Sequence, residues 1–463
     1  MSPRVHAFSD DALGDDDGIG LATRIAAGDV SRHEVLEAAQ SRAERVRHLN
    51  AVATLDLYRA HAFTDEERRG PFSGVPTFVK DNTDLAGLGT GHGSEAILPR
   101  PAAKDARFST LLRDAGLVPL GKSRLPEFGF SASTEFMTGD PTRNPWDPDY
   151  STGASSGGAA ALVAAGVVPL AHANDGGGSI RIPAAACGLV GLKVSRGRYR
   201  LAPLDRVMPV RLAVEGVVTR SVRDTAHFLA ATDQGADPVG LVAGPSTTRR
   251  RIGLVVDSVV GDGTDEPTVA AVLKTAEVLT ALGHHVYPVA SPMDEQFAAD
   301  FKTYWGFMAL LAVKAGPRAF PGWNGDKLDT LTLGLADYAR ARRRTAVGVV
   351  RRLRASHRTY AEALSGLDAV LAPVVAHTTP RIGHLSPQQD FEVLFDKLIA
   401  YAGFTPLNNA TGSPAISLPM GATKTGLPIG VQLMGAHGGE RTLLELAYEL
   451  EQAAPFRQIS ASA

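Results

Sequence analysis

Short apolar runs alternate with longer amphipathic segments along much of the chain. Alternation of this kind is typical of a mostly parallel or mixed sheet that helices cover on both faces. Since no internal repeat or low-complexity linker divides the sequence, we predict an α/β fold built as one large domain over residues 1–463. The apolar runs that predict strands lie at 117–120, 167–171, 252–256, 285–289 and 368–372.

Helical spacing dominates the first 70 residues and a later block at about 290–400. In the first region, Ser31 and Glu34 form a capping-box pattern that predicts a helix from Arg32 to about His48. The later block shows helical spacing at roughly 296–315 and 328–364. A strand pair is expected at 414–419 and 427–433, with a helix from 440 to 451 after it.

Composition limits the classes of partner. The formal net charge of -2 gives no reason to expect nucleic acid or an anionic membrane. Cys187 is the only cysteine, which excludes an intramolecular disulfide and a thiolate metal cluster. The histidines are scattered and form no HExxH pair, so we expect no metal and no cofactor.

No segment predicts export or membrane insertion. The first residues are polar and acidic and lack the apolar centre of a signal peptide. The most apolar segment, 159–171, contains Gly166 and Pro169 and is shorter than the roughly 20 residues that span a bilayer. We therefore expect a cytoplasmic protein.

Two serine-bearing glycine loops bracket an apolar segment between Ser151 and Gly188. The first loop reads GASSGG at 153–158, and the second reads DGGGS at 175–179. Glycine loses more conformational entropy on folding than other residues, so such clusters mark unusual dihedrals or a close approach to a ligand. The pair predicts a functional site.

The second loop has the makings of an oxyanion hole. It follows the apolar run 167–171, and Pro183 suits the first turn of a helix after it. Glycine N–H groups and the helix dipole can converge on a developing negative charge, and Ser179 is placed to be a nucleophile. The same geometry could hold a phosphate, but neither Walker A spacing nor a G-x-G-x-x-G motif is present.

A serine nucleophile needs a base, and two candidates exist. His172 is close in sequence and would give a Ser-His-Asp arrangement. Lys80 ends an apolar run that begins at Gly74, and burial could depress its pKa from about 10.4 until it is neutral near pH 7. From the residues alone, a solvated lysine just past a strand end, beside Asp81, stays equally open.

Three motifs together closely resemble the amidase signature family. They are Lys80 in G-x-P-x-x-x-K-D, Ser155 in G-A-S-S-G-G and Ser179 in D-G-G-G-S-I-R-I-P-A. The separations of 75 residues between Lys80 and Ser155 and of 24 between the two serines also suit that family. The resemblance runs from about residue 20 to 455 and includes GLVGLK at 188–193 and GLPIGVQ at 426–432.

The resemblance implies a role for each motif. Ser179 becomes the acyl-forming nucleophile, Ser155 the bridging serine behind a cis peptide bond, and Lys80 the ultimate base. The oxyanion would be held by the backbone N–H groups of Ser179 and of three glycines, Gly176, Gly177 and Gly178. The implied organisation is a helical layer at about 1–70, a signature core at about 71–230 and a variable pocket block at about 290–400.

Supporting residues are expected beside these three. Arg181 should fix the second loop through Asp175, and Ser156 should cap the helix that begins at Gly157. Phe128, Gly129 and Phe130 resemble the family's pocket segment. Aromatic and apolar residues of the helical block are either further pocket walls or core at helical spacing, namely Phe301, Tyr304, Trp305 and Met308.

Three positions depart from the family's pattern without removing a catalytic group. Ala154 stands before Ser155 where glycine is usual, and Gly176 follows Asp175 where threonine or valine is common. Val194 occupies the place of a usual proline. These departures leave activity intact in our interpretation but put the loop geometry in doubt.

The predicted function is hydrolysis of a small-molecule carboxamide, with esters and carbamates as further candidates. Members that resemble this chain act on aryl amides, nylon-type oligomers or carbamates, and we favour hydrophobic or aryl substrates. A glutaminase-type subunit of a tRNA-dependent amidotransferase is the alternative. A non-catalytic binding protein is disfavoured because all three catalytic positions are filled. We expect a monomer or homodimer.

Overall fold

The computed structural model describes residues 4–65, 70–200 and 208–459, and the statements below refer to these. In this part the chain forms one α/β domain, which confirms the predicted fold class. The portions of the predicted regions that fall at 1–3, 66–69, 201–207 and 460–463 lie outside the described residues.

Helices make up much of the described chain. None of them is both long enough and apolar enough to cross a membrane. Their bounds are α1 Gly18–Ala27, α2 Arg32–Arg45, α3 Leu57–Asp65, α4 Arg107–Asp114, α5 Gly157–Ala164, α6 Arg181–Cys187, α7 Val222–Thr232, α8 Glu266–Ala281, α9 Glu295–Ala319, α10 Thr330–Ala341, α11 Ala346–Ala363, α12 Phe391–Tyr401, α13 Pro406–Thr411 and α14 Glu440–Ala453.

The strands form one large sheet, one small sheet and a hairpin. Their bounds are β1 Val52–Leu55, β2 Pro76–Lys80, β3 Val118–Ser123, β4 Arg143–Asn144, β5 Asp147–Ser151, β6 Leu170–Asp175, β7 Val190–Lys193, β8 Val214–Thr219, β9 Arg251–Leu254, β10 His285–Pro288, β11 Ala369–Pro373, β12 Ala415–Ala422 and β13 Pro428–Met434.

The large sheet is mixed. It has eight strands in the order β10-β9-β11-β13-β12-β7-β8-β6, and β9 runs parallel to both of its neighbours while the other pairs are antiparallel. The small sheet has the order β1-β3-β2, with β2 parallel to β3. Because β2 packs on β6, the small sheet meets the large one at its β6 edge.

Strand β12 shows how helices cover both faces of the large sheet. Ile416 and Leu418 belong to an apolar cluster with α7, α8 and α14, whereas Ser417 points to the other face. Helix α6 packs on that second face, across β12 and β13. Its close approach requires Gly430, because a Cβ there would lie 2.4 Å from the Cβ of Ala185.

Local signals placed the first helices correctly. Both hydrogen bonds of the capping box between Ser31 and Glu34 are present, and α2 begins at Arg32. The helix ends at Arg45 and a 3-10 turn covers Arg47–Leu49, slightly short of the prediction. The N-terminal layer also contains the strand β1, which pairs with β3 and which the helical pattern did not indicate.

The strand expected at 167–171 lies at Leu170–Asp175 instead. The apolar run ends at Ala171, but β6 pairs with β8 in continuous register through Asp175. Strand pairing therefore extends β6 into polar residues that no hydrophobic pattern marks. Strands β7 and β8 were not predicted at all.

The two helical stretches predicted at 296–315 and 328–364 contain three helices. Helix α9 continues to Ala319, and a break at 342–345 separates α10 from α11. Arg343–Thr345 forms a 3-10 turn at that break. The predicted strands near the chain end and the helix from Glu440 are confirmed as β12, β13 and α14.

Candidate active site

Lys80 is the last residue of β2, and its side chain is fully buried. Its Nζ lies 2.7 Å from Ser155 Oγ and 2.7 Å from Asn174 Oδ1. Burial disfavours the ammonium form and lowers the pKa of Lys80 to about 7, although Glu215 and Asp175 oppose this shift. The position at the end of a buried strand thus gives a lysine that can be neutral at physiological pH.

Ser155 lies in the loop between β5 and α5, behind a cis peptide bond from Ala154. The residue is buried, and Lys80 holds its hydroxyl. The pocket segment comes up against it, because a Cβ at Gly129 would lie 2.9 Å from Ser155 Oγ. The first glycine loop and the segment at 128–130 therefore meet at one serine.

Ser179 follows the second glycine loop and is half-buried. It lines the same cavity as Ser155, Asn174, Gly176 and Gly177. Within the described part of the chain its hydroxyl has no hydrogen-bond partner, so no bond joins it to Ser155 in this structure. The structure thus pairs Lys80 with Ser155 directly and places Ser179 at the wall of the cavity that Ser155 also lines.

A buried ion pair between Asp175 and Arg181 holds the second loop. Arg181 Nε lies 3.0 Å from Asp175 Oδ2, and neither side chain is exposed. Burial would raise the pKa of Asp175, but the Arg181 charge and its hydrogen bonds outweigh this and lower it to about 2. Arg181 also donates to Gln432 Oε1 and to the Thr405 carbonyl, which ties the loop to β13 and α13.

The backbone donors of this loop divide into two groups. The Gly178 N–H donates to Asp175 Oδ1 at 2.7 Å, so it is already committed inside the loop. The N–H groups of Gly176, Gly177 and Ser179 have no acceptor within the described residues. Of the four donors expected for an oxyanion hole, the N–H of Gly178 is therefore engaged and the other three are open among the described residues.

Ser156 occupies the N-cap position of α5, but its side chain makes no capping hydrogen bond. Its ψ of 37° departs from the extended backbone that a capping side chain needs. Ser156 Oγ instead donates to the Asn174 carbonyl at 3.4 Å. The capping role expected for Ser156 is wrong, and the side chain links the first glycine loop to β6.

Asn174 is a site residue that the sequence did not reveal. Its Oδ1 accepts from Lys80 Nζ, and its Nδ2 donates to Asn82 Oδ1 at 3.1 Å. A neutral amine has two hydrogens and one lone pair, so an acceptor on one hydrogen helps orient the lone pair toward Ser155. The alternation of His172 and Asn174 with apolar residues on β6 could have indicated this role. The prediction missed it because it ended the strand at residue 171.

His172 contacts neither serine. Its Nδ1 accepts the Lys80 backbone N–H at 3.1 Å, and its Nε2 lies 2.9 Å from Glu215 Oε2. Since Nδ1 is an acceptor, the hydrogen of the neutral ring lies on Nε2 and is donated to Glu215. Both nitrogens are engaged, which removes the geometric basis of a Ser-His-Asp triad on Ser179.

The cavity at this site has a volume of about 560 Å³ and largely apolar walls. Phe128 and Phe130 line one side, and α9 contributes Phe301, Trp305 and Met308 to another. Tyr304 is not part of the wall, because its hydroxyl is buried against the backbone of Val210. Three of the four residues expected either at the pocket or in the core therefore line the cavity, and Tyr304 belongs to the core.

Few charges face this cavity. Glu215 and Lys302 are the charged side chains in its described lining, and burial lowers the pKa of His92 to about 4, so that ring is neutral.

Among the residues that the structure describes, no cluster of three His, Cys, Asp or Glu could hold a metal ion.

Sequence and structure comparisons define the class as amidohydrolases acting on C–N bonds other than peptide bonds. The profile of the family described as Amidase matches residues 34–444. The chain belongs to this family, the amidase signature enzymes.

Individual relatives are similar along nearly their whole length. AmiC of Mycobacterium leprae, provisionally named an amidase, is 48% identical over 98% of this chain and 99% of its own. The 6-aminohexanoate-cyclic-dimer hydrolase of Paenarthrobacter ureafaciens is 34% identical over 95% of each chain. A solved structure of a 6-aminohexanoate cyclic dimer hydrolase has a TM-score of 0.86 at 32% identity, covering 97% of this chain and 99% of that one.

Replacing Arg181 with methionine should strongly destabilise the protein. The change leaves the Asp175 carboxylate buried without its counter-charge, which costs about 3–5 kcal/mol in comparable sites. We expect a clear fall in the thermal unfolding midpoint, measured by calorimetry or fluorescence.

The matched control is Arg340→Met, which removes an exposed ion pair with Asp337. Exposed pairs contribute little because water screens them, so this midpoint should stay near that of the wild type. Equal shifts in the two variants would contradict the anchoring role of Arg181.

Proposed function

We propose that this protein cleaves small-molecule carboxamides through an acyl-enzyme on Ser179. The observation that carries the proposal is the buried Lys80 amine, 2.7 Å from Ser155 Oγ, beside a cavity that Ser179 also lines. A neutral amine in this position can act as a base, and the serine chain can pass the proton. The three sequence motifs and the Lys80–Ser155 contact support this proposal.

The first half of the reaction forms the acyl-enzyme. Lys80 Nζ takes the Ser155 hydroxyl proton as Ser155 Oγ takes the Ser179 proton, and Ser179 Oγ attacks the carbonyl carbon. This requires Ser179 Oγ to approach Ser155 when substrate binds, since catalytic hydrogen bonds often tighten only in the complex. The open donors of Gly176, Gly177 and Ser179 stabilise the oxyanion.

The second half returns the protons. The tetrahedral adduct collapses as the proton passes from Lys80 through Ser155 to the leaving nitrogen, and the C–N bond breaks. Water then attacks the acyl-enzyme with the same base, releasing the acid and restoring Ser179. No cofactor or metal is part of this scheme.

The apolar walls favour a substrate with a hydrophobic or aryl body. The aromatic side chains of the pocket segment and α9 bury apolar surface, at roughly 25 cal/mol per Å². The name of the relative that hydrolyses a cyclic amide dimer fits this preference. Esters and carbamates present a comparable carbonyl and belong in the same assay panel.

The apolar walls of the described lining do not favour the amidotransferase alternative. Glutamine has no apolar body that would use the aromatic and aliphatic side chains of this cavity. Ammonia release from glutamine that depends on ATP and tRNA would nevertheless decide for that function.

Ser179→Ala should abolish turnover of anilides, aliphatic amides, nitrophenyl esters and aryl carbamates. Removing a nucleophile commonly lowers kcat by on the order of 10⁴-fold or more. The wild type should show the acyl adduct in the intact mass after rapid quenching, and the variant should not. An undiminished rate in Ser179→Ala would refute the assignment.

Lys80→Ala should lose most of the activity, whereas His172→Gln should lose far less. The imidazole contacts the Lys80 backbone and Glu215 but neither serine, and glutamine keeps a donor and an acceptor. The comparison uses kcat/KM on one anilide for both variants. If His172→Gln proved the more damaging change, a histidine base would replace this scheme.

The pH profile should report Lys80. Its pKa of about 7 means that the base is protonated, and the enzyme inactive, as pH falls below that value. We expect kcat/KM to decline with unit slope on the acid side, with a midpoint near 7. The residual activity of Lys80→Ala should lack this limb, and a wild-type midpoint near 4 would point to a carboxylate base instead.

Gly129→Ala should impair catalysis specifically. Gly129 has φ of 72°, and a Cβ there would meet Ser155 Oγ at 2.9 Å. We expect kcat to fall roughly tenfold or more, together with about 1 kcal/mol of backbone strain.

Gly139→Ala is the matched control, because its φ is 81° and its Cβ would meet nothing within 4 Å. Gly139→Ala causes the same backbone strain as Gly129→Ala but brings no Cβ against Ser155 Oγ. Parallel assays of kcat and of thermal midpoint should show similar destabilisation in both variants and lost activity only in Gly129→Ala. A similar loss of activity in both would contradict the contact with Ser155.

A further inference from the structure

Glu215 places a carboxylate in a cavity whose walls are mainly apolar. It lies on β8 directly across from Asn174 on β6 and lines the cavity with Ser155 and Ser179. The side chain is 29% exposed, so it is open to the cavity rather than to a packed interior. One oxygen, Oε2, accepts from His172, and the other has no partner within the described residues.

Among the described residues, Glu215 has no counter-charge when both His172 and Lys80 are neutral. Its described ion-pair contact is His172 alone, and that ring is neutral because its Nδ1 accepts the Lys80 N–H. Lys80 must also be neutral to act as the base. Lys302, the other charged lining residue, forms no ion pair with Glu215 in the described structure.

Two nearby carboxylates, unlike that of Glu215, each have a cationic partner. Asp175 is compensated by Arg181, and Asp81 forms an ion pair with Lys122 at 2.9 Å. An unpaired carboxylate that is removed from bulk water is costly unless a cation or donor reaches it. The open oxygen of Glu215 therefore suits a positive group supplied by the molecule that enters the cavity.

We propose that Glu215 is the specificity residue of this site and that it binds a primary ammonium group carried by the amide substrate. This rests on the proposed function and narrows its substrate class to small amides with an apolar body and an ammonium end. The aromatic walls take the body, and the carboxylate, oriented by His172, takes the charge.

Binding of such a cation has a consequence for the base. The charged groups that face Lys80 are Glu215 from β8 and Asp175 from β6; its other neighbours there, His172, Asn174 and Ser155, are neutral. Glu215 favours protonated Lys80, and an ammonium on Glu215 offsets that attraction. The pKa of Lys80 should therefore be lower in the complex with an ammonium substrate, which extends activity to lower pH.

The experiment uses pairs of 4-nitroanilides of ω-aminoalkanoic acids and their methyl-terminated counterparts of equal chain length. In the wild type, kcat/KM for the best ammonium member should exceed that of its neutral counterpart roughly tenfold or more, as charged hydrogen bonds commonly give. Glu215→Gln keeps an acceptor for His172 and removes the charge. The preference should then fall to near one, with a smaller change on the neutral substrate.

The pH dependence gives a second readout in the wild type. The acid limb of kcat, which reports the complex, should lie at lower pH for the ammonium substrate than for the neutral one. The acid limb of kcat/KM, which reports the free enzyme, should coincide for the two. Lys302→Gln is the control that neutralises the other charged lining residue, and it should not lower the preference because it removes a cation rather than an anion.

Two results would overturn the inference. One is a wild type without preference for any ammonium member. The other is an equal loss on both substrates in Glu215→Gln with a shifted kcat/KM limb, which would make Glu215 a positioning residue for Lys80.

Calorimetric titration of the Ser179→Ala protein with the same pairs of 4-nitroanilides separates this inference from the proposed function. Ammonium binding that requires Glu215 would support the inference even if the wild type proved inactive on amides. Turnover of neutral amides without any such binding would overturn the inference and leave the proposed function standing.

Discussion

The buried ion pair between Asp175 and Arg181 is the constraint on which the active-site geometry depends. Arg181 is wholly enclosed and donates to Asp175, Gln432, Asn409 and the carbonyl of Thr405. These contacts join the second glycine loop to β13 and α13, which are far away in sequence. The pair thus sets the loop from which Ser179 and its open backbone donors project.

Burial alone does not single out Lys80 as the proposed base, because the described chain buries several lysines. Lys193 also has a pKa lowered to about 7, chiefly by desolvation, yet its Nζ donates to the Val194 carbonyl and to no serine of the cavity. Lys122 is buried too, but Asp81 balances its charge. Lys80 differs in its contacts, since only Lys80 among these three touches a serine hydroxyl of the cavity.

The cavity combines aromatic walls with a polar floor. The floor includes Asn174 from β6 and Glu215 from β8, and Lys80 and His172 lie behind it, bonded to Asn174 and Glu215 respectively. The walls come from the pocket segment and α9. Because strands supply the chemistry and a separate helical block supplies most of the shape, substitutions on α9 can alter substrate fit without touching the proton path.

The sequence by itself determined the motifs, the family and most helices and strands. Those features depend on local signals such as the capping box at Ser31 and the fixed spacing of Lys80, Ser155 and Ser179. It also indicated why Lys80 could be neutral, since an apolar strand that ends in lysine implies desolvation.

Only the tertiary structure decided which neighbours surround these residues. Asn174 and Glu215 lie across from each other because β6 pairs with β8, a contact between segments that no local pattern encodes. That pairing brings Glu215 to Nε2 of His172, and the packing of β2 on β6 brings the Lys80 N–H to Nδ1. A non-extended backbone keeps Ser156 from capping α5. Local sequence sets which residues can do chemistry, whereas long-range strand pairing sets which of them face one another.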